Sequence, residues 1–203
     1  MNKIVLILLL ACVVLLILYI SYTCNIERYI YKNKYKHKIF PSLTQNIPKV
    51  IYQCYHDKSK IPLKVYNNIQ KFAPNYKHVV YCLGDECRTF IKTYYGQEYV
   101  VIFNYLLKKY PPYGADFWRY LILYKYGGVY LDIKIELIEP MNGTIDRIGK
   151  ASFATILGKK RRGWWQPSTQ CMQGVIFSSP GHPILKLCIN YMKQKYKIQN
   201  SNE

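Results

Sequence analysis

The sequence predicts an α/β fold in which helices flank a mixed, mainly parallel sheet, and it predicts one transmembrane helix before this fold. Short apolar strands alternate with helical segments after Pro48, which is the pattern of a parallel sheet with helical crossovers. An unbroken apolar run from Ile4 to Ile20 accounts for the transmembrane helix. Because ligands of such sheets bind at the carboxyl ends of the strands, we expect the functional residues there.

The apolar run IVLILLLACVVLLILYI covers 17 residues, and no charged residue lies between Lys3 and Glu27. A helix needs roughly 20 residues to cross the hydrocarbon layer, and residues 21–23 complete that length. No small-x-small cleavage site follows, so the sequence favours an uncleaved anchor over a signal peptide and predicts a single-pass membrane protein. Basic residues are denser after the span, which favours a cytosolic C-terminal part; a lumenal one would violate the positive-inside rule.

The chain divides into three predicted parts. Residues 1–23 form the anchor, residues 24–46 a basic, tyrosine-rich stalk, and residues 47–203 the folded domain. With 203 residues, half of them hydrophobic, the chain is long enough for one domain with a proper core and too short for two of ordinary size.

The distribution of the basic residues argues against a nucleic-acid site, and the spacing of the cysteines argues against a zinc site. A net charge of +18 suits a nucleic-acid partner, but the basic residues are scattered and no nucleic-acid motif accompanies them, so no nucleic acid is expected. The seven cysteines form no CxxC pair and no Cys/His cluster with zinc spacing. We therefore expect buried free thiols rather than a structural zinc or a complete disulfide framework.

Individual segments support the alternation of strands and helices. The run KVIYQC (49–54) predicts a buried strand, the segment 62–72 a helix opened by proline, and HVVYCL (78–83) a second strand. The segment 85–95 has acidic residues in its first turn, and the helix at 114–128 is stopped by glycines. The remaining predicted elements are a helix at 98–109, a strand at 129–136, an irregular stretch containing GKKRRGWWQP, a strand near 172–177 and a helix from Pro183.

The strand that begins at Val129 has two different predicted faces. Aliphatic residues at every second position alternate with polar or amphipathic ones, which are Tyr130, Asp132, Lys134 and Glu136. Asp132 therefore points away from the aliphatic core, on the same face as Lys134 and Glu136.

The preceding helix carries two further charged candidates. Asp116 and Arg119 are three residues apart and share one helix face. The glycine pair at 127–128 turns the chain sharply enough to bring that face towards the polar side of the strand. Alone, Asp116 and Arg119 would be a surface ion pair; together with the strand, they indicate a site.

The run ADFWRYLILYKYGGVYLDIK (115–134) resembles the core motif of the glycosyltransferase family 32 type sugar transferases. This DXD-containing group includes yeast mannosyltransferases, similar proteins of large DNA viruses and, more distantly, glucosylating bacterial toxins. IPKVIYQCYHD (47–57) is similar to the family's opening strand, and CMQGVIFSSPGHPIL (171–185) to its late strand and helix entry. The resemblance covers about residues 47–190.

The resemblance implies a Rossmann-like GT-A fold that transfers a hexose, with retention, from a UDP- or GDP-sugar to a glycan or protein acceptor. It implies a divalent metal, Mn2+ or Mg2+, and a membrane of the Golgi or ER or, for a viral protein, of the host or virion. The implied catalytic residues are Asp132, Asp116 and Arg119, of which the last two would hold the donor sugar. The implied donor-binding residues are Ile51, Tyr52, Gln53, Tyr130, Lys134 and Gln173. The metal ligands would be Asp132 and, as a replacement for the second aspartate of the motif, Glu136.

The sequence departs from the family at Lys134, which stands where the second motif aspartate, a direct metal ligand, is expected. An ammonium group cannot ligate a cation. Three alternatives follow. Lys134 itself neutralises the diphosphate and reduces the dependence on metal, Glu136 supplies the missing carboxylate, or the domain binds its ligand without catalysing a reaction.

Two other functions compete with glycosyl transfer. One is a noncatalytic module that binds a nucleotide sugar or carbohydrate, which the lysine favours. The other is a membrane-tethered basic protein that binds nucleic acid or anionic lipid. The segment KKRRGWWQP (159–167) predicts either a mobile flap over the donor or acceptor or an exposed basic loop.

Overall fold

Five strands and six α-helices make up the described part of this computed structural model, which comprises residues 47–148, 151–162 and 166–200. The strands are β1 (Val50–Tyr55), β2 (Lys77–Cys82), β3 (Gly128–Leu131), β4 (Phe153–Arg162) and β5 (Gln166–Ser178). The helices are α1 (Leu63–Phe72), α2 (Asp85–Tyr95), α3 (Gln97–Lys109), α4 (Pro111–Tyr126), α5 (Met141–Ile148) and α6 (Pro183–Asn200). A short 3-10 helix at Lys58–Lys60 follows β1.

The predicted anchor and stalk lie outside the described residues. Within the described ranges, no helix combines the length and the apolar character needed to span a bilayer. The side chains of the predicted flap, residues 159–167, also lie outside the described part of the chain.

The five strands form one sheet in the order β2-β1-β3-β5-β4. Strand β1 pairs in parallel with β2 and β3, whereas β5 runs antiparallel to both β3 and β4. Only β5 is therefore inverted, and the other four strands point the same way. The prediction of a mixed, mainly parallel sheet flanked by helices is confirmed.

Both faces of β3 are buried, because helices cover both sides of the sheet. Tyr130 packs into the larger core cluster, which contains residues of α2, α3, α4 and α6. Val129 and Leu131 point to the opposite side and pack with residues of α1 and α5, among them Ile69 and Met141. The aliphatic face was predicted correctly, but Tyr130, on the face predicted to be polar, is only 1% exposed.

Most predicted elements are confirmed, with shifted ends, and two are wrong. The strand predicted at 129–136 ends at Leu131, because the Ile135 amide donates to the Asp132 carbonyl (2.9 Å) and closes a turn. The stretch predicted to be irregular forms β4 and the first half of β5. Its basic run shows no alternation of apolar residues, and backbone pairing with the opposite strand organises it.

The chain reverses between α4 and β3 at Gly127 and Gly128, as predicted. Both have positive φ values, +64° and +103°. A Cβ atom on Gly127 would lie 2.6 Å from Pro180 Cδ and 2.8 Å from the Ser178 carbonyl oxygen. Two separate constraints therefore require glycine at position 127: the positive φ of the backbone and the lack of space for a Cβ atom beside the end of β5.

We predict that Gly127→Ala lowers the free energy of unfolding by about 3 kcal/mol, since it adds steric overlap to an unfavourable φ. Gly96→Ala is the matched control, because Gly96 also has a positive φ (+86°) but nothing within 4 Å of an added Cβ. The Gly96→Ala variant measures only the free-energy cost of placing a Cβ on a residue with positive φ, about 1–2 kcal/mol. Urea denaturation of the full chain in detergent measures both, and equal losses would contradict the crowding argument.

Candidate active site

The buried guanidinium of Arg119 joins three elements of the fold. Arg119 is 5% exposed. Its Nη1 donates to the Gln173 carbonyl oxygen of β5 at 2.6 Å, and its Nη2 lies 3.1 Å from Asp116 Oδ1 and 3.2 Å from Asp132 Oδ1. Its guanidinium carbon lies 4.4 Å from the centre of the Tyr130 ring. The predicted trio of Asp116, Arg119 and Asp132 is thus brought together.

The local structure explains why these side chains meet. Asp116 and Arg119 are one helical turn apart on α4, and the glycine turn returns the chain so that β3 runs beside that helix. Asp132 is the first residue after β3, at the carboxyl end of a parallel strand, where ligands of such sheets bind. The spacing of these residues along the chain therefore fixes their proximity.

An irregularity in β5 completes the site. Thr155 pairs with Ile176 and Ile156 with Met172, so Gln173 and Gly174 have no partner on β4. Their carbonyl oxygens instead accept from Arg119 and from the Asp132 amide, the latter at 2.8 Å. Such bulges redirect groups at functional sites.

Gly174 also leaves room for the Asp132 carboxylate, since a Cβ there would lie 2.8 Å from Asp132 Oδ2. Sequence reasoning found Gln173 through the resemblance but missed the bulge, for which Gly174 was the available signal.

The charges of the trio influence one another. Burial raises the pKa of Asp116 above its ordinary value, while Arg119 pulls this pKa down and Asp132 pushes it up. Burial opposes the charge of Arg119, but Tyr130, Asp132 and Asp116 outweigh it and raise the arginine pKa. One guanidinium is shared by two carboxylates, so with all three groups ionised the trio carries one net negative charge.

Tyr130 supplies a neutral donor beside the trio. Its hydroxyl donates to Asp132 Oδ1 at 3.0 Å and lies 3.5 Å from Cys54 Sγ. Burial raises the pKa of Tyr130 well above its ordinary value and raises the pKa of Cys54 to about 11. Both groups therefore stay protonated at neutral pH, and Cys54 is not poised as a nucleophile. The described cysteines are free, as expected, but only Cys54 and Cys87 are buried, and Cys171 is exposed.

A cavity of about 330 Å³, here called the first cavity, opens beside the trio. Its lining includes Arg119, Asp132 and Lys134, and the three residues at the carboxyl end of β1, 54–56. The first cavity therefore lies at the carboxyl ends of β1 and β3, where the sequence predicts the functional residues. Residues 54–56 were missed, although the same rule applied to β1 would have indicated them.

The predicted donor-binding residues Ile51, Tyr52 and Gln53 lie elsewhere. They are buried in the middle of β1, between β2 and β3, and do not line the first cavity. Gln53 has a supporting position: its Oε1 pairs with His78 Nε2 at 2.7 Å, and its Nε2 lies 3.5 Å from the Asp132 carbonyl oxygen. Ile51, Tyr52 and Gln53 thus lie up to three residues before the cavity-lining residues 54–56, and their role in donor binding stays a prediction.

The turn after β3 separates Lys134 from Glu136. Glu136 forms an exposed ion pair with Lys64 at 2.9 Å. The prediction that it shares a strand face with Asp132 is wrong, because the turn at 132–135 ends the strand alternation. Lys134 is exposed and lines the first cavity, and in the described part of the chain no carboxylate forms an ion pair with it.

The sequence resemblance implies a divalent metal at this site. Across residues 47–148 and the later described segments, no group of three or more His, Cys, Asp or Glu side chains is placed to hold a metal. Asp132 Oδ1 is already engaged by Tyr130 and Arg119, and an ammonium shares the cavity. The described side chains therefore do not form a site that holds a metal ion on protein ligands alone, whereas a metal held jointly by Asp132 and the phosphates of a ligand needs fewer carboxylates.

A cavity of about 430 Å³, here called the second cavity, lies between α4 and α6. Asp116 and Gln173 belong to its lining, together with Tyr113, Tyr120, Leu187, Cys188, Tyr191 and Met192. With its amide oriented to donate, Gln173 Nε2 lies 3.0 and 3.1 Å from the Asp116 carboxylate oxygens. Asp116 therefore contacts Arg119, which lines the first cavity, and itself lines the second.

The sequence is similar to those of glycosyltransferases. The family described as "Glycosyltransferase sugar-binding region containing DXD motif" matches residues 24–153. An initiation-specific alpha-1,6-mannosyltransferase of Schizosaccharomyces pombe is 29% identical over 171 residues, covering 78% of this chain and 43% of the relative. The protein of the same name from Candida albicans is 31% identical over 163 residues, covering 68% and 40%. An uncharacterized glycosyltransferase of Acanthamoeba polyphaga mimivirus is 31% identical over 144 residues, covering 68% and 52%.

Among solved structures, the PaToxG glycosyltransferase has a similar fold. The TM-score is 0.54 at 16% sequence identity, and the match covers 91% of this chain and 73% of that one. The family match spans more than half of the sequence, so the chain belongs to the DXD-containing glycosyltransferase family. It spans only 43% and 40% of the lengths of the two yeast mannosyltransferases.

The raised pKa of Asp116 predicts how stability depends on pH. A carboxyl group with a raised pKa contributes stability below its unfolded pKa and loses it as pH rises through the folded value. We therefore expect Asp116→Asn to gain stability relative to the unchanged protein as pH rises above 3.8, the ordinary value.

Asp57→Asn is the control of opposite sign. Hydrogen bonds from the Ser59 hydroxyl and amide lower the pKa of Asp57, so its contribution is lost as pH falls. Urea denaturation of both variants at several pH values measures the slopes, and slopes of equal sign would contradict the assignment.

Proposed function

We propose that this chain is a glycosyltransferase that moves a hexose from a UDP- or GDP-sugar to a glycan or protein acceptor, on a fold of the GT-A type. The observation that carries the proposal is the trio of Asp116, Arg119 and Asp132 beside a cavity at the carboxyl ends of the strands. Membership of the family and the likeness to a glycosyltransferase structure support it. The relatives' names suggest mannose as the transferred sugar.

The reaction makes two electrostatic demands on the site. As the bond between the anomeric carbon and the diphosphate breaks, negative charge grows on the leaving group and the sugar becomes oxocarbenium-like. Arg119 presents a permanent positive charge beside the first cavity. The carboxylates of Asp116 and Asp132 offer negative charge and hydrogen-bond acceptors to the sugar.

Lys134 supplies positive charge at the mouth of the first cavity. It is exposed, lines the cavity, and has no ion-pair partner in the described segments. Since Glu136 is engaged by Lys64, we favour direct neutralisation of the diphosphate by the Lys134 ammonium. This follows the first of the three alternatives that the sequence left open.

We also propose that the domain is anchored in a membrane by residues 1–23, with residues 24–46 as a basic stalk and residues 47–203 as the catalytic domain. The family match begins at residue 24, directly after the proposed anchor, which supports the proposed end of the anchor; the match also includes residues 24–46 and so does not separate a stalk from the domain. A Golgi or ER membrane, or a host or virion membrane for a viral protein, is compatible with such an anchor.

A second candidate function is a module that binds a nucleotide sugar without transferring the sugar. Lys134 is the observation that favours it, because the second motif carboxylate is missing and no described cluster holds a metal. Binding of a nucleotide sugar without release of nucleoside diphosphate would identify this function.

We predict that the full chain in detergent releases nucleoside diphosphate from one member of a panel of UDP- and GDP-hexoses. Asp132→Asn removes a charge from the trio and is expected to lower kcat by about 100-fold or more. Asp85→Asn, an exposed aspartate of α2, serves as the control and keeps full activity. An unchanged rate in Asp132→Asn would contradict the assigned site.

We predict that the release of diphosphate persists in EDTA and depends on Lys134. Lys134→Ala is expected to lower kcat by about 100-fold, since it removes a charge that stabilises the leaving group. Lys77→Ala, an exposed lysine of β2, is the matched control. Full loss of activity in EDTA, restored by Mn2+, would show that the lysine does not replace the metal.

A further inference from the structure

Helix α4 exposes different sides to the two cavities. Residues separated by about one helical turn share a side. The residues of α4 that line the first cavity are Pro111, Pro112, Ala115 and Arg119. Those that line the second cavity are Tyr113, Asp116 and Tyr120. One helix thus contributes to both cavities, and the ion pair of Asp116 with Arg119 connects them.

The second cavity has aromatic and aliphatic walls that are open to solvent. Tyr113 and Tyr191 are 51% and 60% exposed, and Leu187 is 39% exposed. Leu187 and Tyr191 are four residues apart and share one side of α6. Large apolar side chains exposed together around a concave surface are typical of a binding site.

The floor of the second cavity is polar. Gln173 Nε2, oriented to donate, lies within 3.1 Å of both Asp116 oxygens, and the Tyr120 hydroxyl lies 3.2 Å from the same nitrogen. Amide, hydroxyl and carboxylate groups provide both donors and acceptors. Apolar walls over a small set of convergent polar groups form the usual arrangement of a small-molecule site.

We propose that the second cavity binds the acceptor saccharide. This inference rests on the proposed function, since it needs a donor sugar at the trio. The faces of the tyrosine rings suit the apolar C–H face of a pyranose, and the polar floor suits its hydroxyl groups. A cavity of about 430 Å³ lies within the usual range for small-molecule sites.

Asp116 connects the proposed acceptor site with the proposed donor site. Its carboxylate contacts Arg119 of the first cavity and lines the second, so Asp116 is the residue through which an acceptor hydroxyl in the second cavity would meet the proposed donor sugar. In the transfer, the acceptor oxygen forms a bond to the anomeric carbon, and the bond from that carbon to the diphosphate breaks. The electron pair leaves with the diphosphate, which also receives the hydroxyl proton.

Tyr191→Ala tests the acceptor site in the full chain in detergent. The probes are methyl α-mannoside and α-1,6-mannobiose, with the nucleotide sugar that the unchanged protein hydrolyses as donor. We expect the ratio of transfer to hydrolysis to fall about tenfold, with a higher KM for the saccharide. Tyr191→Phe keeps the ring and is expected to restore the ratio.

Tyr94→Ala is the matched control, because Tyr94 is 45% exposed and lies in a different surface region, on α2. It is expected to keep both rates. An equal fall of transfer and hydrolysis in Tyr191→Ala would overturn the proposal, because the cavity would then serve the donor. An unchanged ratio would overturn it as well.

Saccharide binding, measured by saturation-transfer NMR with methyl α-mannoside alone, separates the two proposals. If no donor is hydrolysed but the saccharide signal is present and falls in Tyr191→Ala, the proposed function fails and the saccharide site stands. If a donor is hydrolysed and the signal is equal in both proteins, the saccharide site fails and the function stands.

Discussion

The buried guanidinium of Arg119 is the interaction on which the rest of the site depends. A permanent positive charge can be buried only when opposite charges and hydrogen-bond acceptors surround it. Asp116 comes from the same helix, Asp132 from the end of β3, and the Gln173 carbonyl from β5. Each of these elements must therefore reach its position before the charge is compensated. The fold and the site are specified by the same contacts.

The sequence predicted the centre of the site better than its edges. The three-residue spacing of Asp116 and Arg119, and the glycine pair that follows, are local features, so their geometry follows from the chain itself. Ile51 to Gln53 do not line the first cavity, and the apolar run of β1 does not show where the strand ends and the cavity begins. Those residues are buried by β2 and β3, which are distant in sequence.

The turn after Asp132 and the hairpin of β4 and β5 were missed for different reasons. Lys134 and Glu136 continue the alternation of a strand, and only the hydrogen bond from Ile135 to Asp132 ends it. The basic run from Lys159 lacks the alternation of a strand, yet its backbone pairs regularly with β5. An alternating side-chain pattern arises when one face of a strand is buried. Such a pattern therefore does not predict strands whose backbones pair outside the core.

The bulge in β5 also separates two parts of the strand with different constraints. On one side, Val175 to Ser178 pair with β3, and Val175 and Gly174 hold neighbouring positions beside Asp132. On the other side, Gln166 to Met172 pair with β4 alone. Because the bulge lies between the two parts, we expect a change in the length of the outer hairpin to leave the register of the inner part, and the residues around the arginine, in place.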